Sequence, residues 1–151
     1  MRLGMITAAV VVALTAGVAS ANPGVEARQA LMKSMVGNVK AISGYVKGDN
    51  AETPADVARR AAAIKADAGK IASAFGDQIH AENADGIKTR ATPAIWLKWD
   101  EFAGNADKLG KDAGALEMTA AGGDQTAIAA AFGAVAKNCG ACHKAFRGKK
   151  Q

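Results

Sequence analysis

The sequence predicts an all-α protein, an antiparallel four-helix bundle, and three observations carry that prediction. Apolar residues recur at alternating threes and fours in four separate segments, no segment alternates strictly as a half-buried strand would, and helix start and stop signals fall between the segments.

In the first segment Met32, Met35, Val39, Ile42 and Val46 share a face; the helix is expected from about Val25 to Lys47, ending at Gly48-Asp49-Asn50. The second stripe is Val57, Ala61, Ile64, Ala68, Ile71 and Phe75, opened by Thr53-Pro54, a capping hydroxyl before a proline at the first helical position. The third is Ile95, Trp99, Phe102, Ala106, Leu109, Ala113 and Leu116, where Thr92-Pro93 repeats the start signal. Gly122-Gly123-Asp124 ends the third helix and caps the fourth, whose stripe is Ile128, Phe132, Val135, Cys139, Cys142 and Phe146, with Gly148 as its stop. From Gly76 to Ala91 the pattern lapses into polar residues, the one long connection. Helices of about 20 residues span about 30 Å, enough to enclose a cofactor in a bundle core.

The chain of 151 residues opens with Met1-Arg2, a short apolar stretch and an A-x-A ending at Ala19 and Ala21. This reads as a secretory leader, residues 1–21, cleaved before Asn22 to leave one domain over 22–151. A membrane anchor needs about 20 apolar residues with different flanks, so no stable membrane insertion is expected and the periplasm is the simplest destination. The formal net charge is +5, and Lys144, Arg147, Lys149 and Lys150 cluster at the end; with only two Trp, one Tyr and four Phe, base stacking on nucleic acid is not expected. The cluster could orient an acidic partner or simply complement a helix terminus.

Cys139-Gly140-Ala141-Cys142-His143 is the attachment signal for a c-type haem, bound through both sulfurs and ligated by the imidazole. These are the only two cysteines, so disulfide scaffolds and thiolate zinc sites are excluded and one covalent haem c is expected. On a helix the three side chains project from one face within about one turn. A thioredoxin-like C-x-x-C would require a strand-to-helix context and has no use for the following histidine. Many stripe positions are alanine, which predicts thin walls that a haem would fill and a loosely packed haem-free form.

The run Cys139 to Arg147, with Arg28-Gln29-Ala30-Leu31-Met32-Lys33 and Ala94-Ile95-Trp96, resembles the class II c-type cytochromes, the cytochrome c prime family and its low-spin relatives. The resemblance implies a haem held by Cys139 and Cys142, His143 as the proximal iron ligand, Arg147 beside the haem and Arg28 near a propionate. It also implies that the sixth position is decided four residues after Arg28. Five-coordinate members place a bulky apolar side chain there and low-spin members use a first-helix methionine; this chain has Met32, with Met35 one turn later as the reserve ligand. Either methionine could instead fill the core. His80, in the polar connection, is expected to face water, and Trp96 and Trp99 to pack the core or the haem edge.

Two functions follow as expectations. The first is a periplasmic one-electron carrier, not an enzyme, serving redox partner proteins with Met32 and His143 on the iron. The second is a five-coordinate protein that binds nitric oxide or carbon monoxide. Relatives of the class pair through their first two helices, and the small residues of the second stripe would permit a homodimer.

Overall fold

The computed structural model describes residues 23–76 and 89–149. The expected leader and its cleavage point, His80 and Lys150 lie outside the described residues. The helices are α1 (Pro23–Lys47), α2 (Pro54–Ala68), α3 (Ile71–Phe75), α4 (Ala94–Leu97), α5 (Trp99–Ala121) and α6 (Gln125–Phe146). Four rods were expected, and four layers are found, but two of them are broken: α2 and α3 form the second and α4 and α5 the third. The first break falls at Gly69-Lys70, beside the nearly buried Asp67, whose carboxylate accepts from Ser34 Oγ at 2.7 Å and Lys70 Nζ at 3.1 Å. The second falls at Lys98, whose φ of −127° and ψ of 49° leave the helical region with no glycine or proline to announce it.

Side-chain pairs fix the directions. Asn38 accepts from Arg60, Ser34 donates to Asp67 and Arg28 donates to Ala74, so α1 runs antiparallel to α2 and α3. Lys65 reaches Glu117 while Ala68 lies beside Gly110, giving the same sense to α2 and α5. Asn138 bonds Asp112 and Phe146 meets Phe102 edge-on, centroids 5.3 Å apart, so α6 returns antiparallel to α5. Among the described residues the only β pairing is an isolated bridge between Ala91 and Arg147, and no helix is long and apolar enough to cross a membrane.

The start signals divide. Thr53 caps α2 through a reciprocal box with Asp56, and Asp124 caps α6 by accepting from the Ala127 amide at 3.0 Å. Thr92 does not spend its hydroxyl on α4: both its amide and its hydroxyl donate to the Phe146 carbonyl at 3.1 Å. Gly148 is likewise no left-handed stop. The helix ends because Arg147 turns extended, and the Gly148 amide donates to the Arg90 carbonyl at 2.7 Å. The end of α6 is therefore clamped by the strand-like segment 90–92.

Candidate functional site

The α6 stripe carries Cys139, Cys142 and His143 onto the wall of a cavity of about 590 Å³, within the range of about 300–1,000 Å³ usual for small-molecule and cofactor sites. Met32 and Met35 line it from α1, together with Arg28, while Phe75, Ile95, Phe102 and Phe146 supply apolar surface and Arg147 closes the α6 end. Every sequence-predicted site residue therefore faces one space. Met35 is 6% exposed and belongs to the packed core; Met32 is only partly buried and packs against it.

Burial raises the thiols of Cys139 and Cys142 above their ordinary range, and in Cys142 the neighbouring Cys139 adds to it. Burial also lowers His143, helped by the positive charges of Arg147 and Arg90. At neutral pH the cavity thus presents neutral thiols and a neutral imidazole, the form in which histidine ligates a metal. Arg28 is 3% exposed; its Nε donates to the Ala74 carbonyl at 2.6 Å, and its guanidinium lies 4.5 Å from the Phe75 ring centroid and 5.8 Å from that of Trp96. Trp96 closes the same corner by donating Nε1–H to the Phe75 carbonyl at 2.9 Å, and Trp99 packs against Phe102.

Asn138 and Arg90 are among the cavity residues that escaped the sequence reading. Asn138, 5% exposed, donates to Asp112, whose carboxylate also holds Lys108. Its signal was available as a polar residue on an apolar stripe, directly before Cys139. Arg90, brought to the cavity by the clamp on α6, had none, because its partner is 58 residues away.

The donor set fits a haem. Two thiols and an imidazole share one wall, thioethers share another, and the charged lining residues are all cations, Arg28, Lys33, Arg90 and Arg147, which suits an apolar macrocycle bearing carboxylate tails.

Comparison with known proteins agrees. A family model described as Cytochrome C' matches residues 24–147. Cytochrome c-556 of Agrobacterium fabrum is 38% identical, with 99% of each chain covered. The crystal structure of cytochrome c' from Thermochromatium tepidum superposes with a TM-score of 0.77 at 28% identity, covering 86% of this chain and 98% of that one. A nitric oxide complex of a mutant cytochrome c prime from Alcaligenes xylosoxidans superposes with a TM-score of 0.68 at 27% identity, covering 83% and 94%. The chain therefore belongs to the cytochrome c' family: it is a mono-haem c-type cytochrome with covalently bound haem c, and Cys139 and Cys142 are its only cysteines.

Proposed function

We propose that this cytochrome is an exported, periplasmic one-electron carrier, cleaved after residue 21, in which Cys139 and Cys142 anchor the haem and His143 and Met32 ligate the iron. The observation that carries the reading is that thioethers from α1 and the imidazole from α6 line one cavity. When bound, haem supplies a reversible ferric–ferrous couple. The rest is done by the chain. His143 offers a neutral nitrogen, held near the metal by the two sulfur tethers on its own helix turn. Met32, packed less tightly than Met35, has the freer thioether and is the preferred sixth ligand; Met35 is the reserve. A thioether would favour the reduced state, and because His143 and Met32 are both held by their own helices the chain would need to rearrange little. Arg147 and Arg28 bring positive charge for the propionates, Arg28 from a position fixed by Ala74, Phe75 and Trp96.

A second reading is favoured by the Alcaligenes structure, a nitric oxide complex: Met32 would fill the cavity as an apolar side chain without ligating the haem, leaving room for a small gaseous ligand. Carbon monoxide separates the two. The reduced holoprotein at neutral pH is expected to give low-spin bands and to take up carbon monoxide weakly and slowly; high-spin bands with ready uptake would overturn the carrier reading in favour of gas binding.

A further inference from the structure

We infer that Asp112 helps to set the reduction potential of the haem, its carboxylate coupled to the cofactor cavity by Asn138 and partly balanced by Lys108. The lining of the cavity includes the cations Arg28, Lys33, Arg90 and Arg147 and no carboxylate. A negative charge reaches it at one remove. Asn138, 5% exposed and part of the cavity wall, donates from Nδ2 to an Asp112 carboxylate oxygen at 3.2 Å, from α6 across to α5. The inference requires only the haem and holds whether or not Met32 ligates the iron.

Burying an amide costs free energy unless it is hydrogen-bonded, and an apolar residue of the same size would complete the wall without that cost. A carboxylate only accepts, so Asn138 must turn its NH2 group to Asp112 and its carbonyl oxygen the other way. Asn138 lines the cavity and Asp112 does not, so the amide stands between the charge and the cofactor space, directly before Cys139. Lys108 donates to both Asp112 oxygens, at 2.9 and 2.7 Å, but the two partners are unequally placed: the Asp112 side chain is 16% exposed and that of Lys108 62%. Water screens the ammonium more than the carboxylate, so the pair does not cancel towards the interior. Ferric haem carries one more positive charge than ferrous haem. Asp112 therefore favours the ferric state and lowers the potential, opposing the cations of the lining, and Lys108 limits how far it does so.

Redox titration of holoprotein variants, followed by the haem spectrum, tests this. Asp112→Asn, which keeps the shape of the side chain, should raise the midpoint potential enough to lower the ferric-to-ferrous ratio about threefold or more at a fixed solution poise, about 30 mV at 59 mV per tenfold. Lys108→Gln should move the potential the opposite way and by less, because its charge is the more exposed of the two. Asp107→Asn, the same change in charge at an exposed site on α5, should do much less than Asp112→Asn. In an Asn138→Leu background the Asp112→Asn shift should fall to half or less, because the carboxylate has lost its buried donor and turns to water. A purely structural tie between α5 and α6 would lower the denaturant midpoint of Asp112→Asn and leave its potential and that of Lys108→Gln where they were, or move both in one direction; either result would overturn the inference. A shift matched by Asp107→Asn, or undiminished by Asn138→Leu, would overturn it as well.

Discussion

The α2–α5 side and the α1–α6 side of the bundle are built on opposite plans. Along α2 and α3 every residue of the predicted stripe is buried, none more than 6% exposed, and the facing α5 surface of Ala106, Leu109, Ala113 and Leu116 is as dry. Alanine and glycine let these helices approach until Gly110 meets Ala68, and Lys65 bridges to Glu117 across the seam. On the other side α1 and α6 touch sparsely, and Met32, Val39, Cys139 and Cys142 remain only partly buried around the cavity. The same amphipathic period thus serves two ends. Small side chains close one seam by themselves, whereas the other is left for a cofactor to complete.

The largest expected effect comes from denying the second seam its haem. Replacing Cys139 and Cys142 together by serine should abolish covalent haem and lower stability by about 4 kcal/mol or more, because a ligand bound far above its dissociation constant stabilises by that order. Hydrogen exchange should then quicken throughout α1 and α6 while α2 and α5 keep their protection. A haem-free protein melting as sharply and as high as the holoprotein would break the comparison.

Next is a pair of truncations. Ile64→Ala, on the fully buried α2 stripe, should cost about 2–5 kcal/mol in denaturant unfolding of the holoprotein. Val36→Ala, on the exposed α1 face, should fall within about 0.5 kcal/mol. Equal losses would mean that the two sides do not differ in how they are packed.

The smallest effect is local to the start of α2. Thr53→Ala should cost about 1 kcal/mol through loss of the cap. The side-chain and backbone hydrogen bonds from Thr53 hold the Asp56 carboxyl down at about 2, against an ordinary 3.8. Because the folded value is the lower one, the stabilisation is fully present above about 4 and disappears as the pH falls towards 2. Asp56→Asn should therefore flatten the acid side of the stability profile, read by unfolding at a series of pH values between 2 and 5, without changing the haem spectrum.

How far the sequence could be read follows the range of the interactions. The four stripes, the Thr53 and Asp124 caps, the end of α1 at Lys47 and the face shared by Cys139, Cys142 and His143 are set within a few residues, and all could be read. The break at Lys98 and the clamp between 90–92 and 146–148 are set by partners far along the chain, which local pattern does not encode. Thr92 shows the difference well: its hydroxyl has the chemistry of a cap, but the Phe146 carbonyl, left without a helical partner at the end of α6, competes for it and wins. Arg28 was legible as a cation of the site, yet its seat between the Ala74 carbonyl and the rings of Phe75 and Trp96 depends on the fold.

The central claim is that a thioether from α1 completes the coordination begun by His143 on α6, and the ferric absorption spectrum of Met32→Leu beside that of the unaltered holoprotein tests it most directly. The account predicts a sulfur-to-iron band near the red end of the unaltered spectrum that Met32→Leu abolishes and Met35→Leu leaves in place. A spectrum that is high-spin from the outset, or a band that survives Met32→Leu, would contradict it.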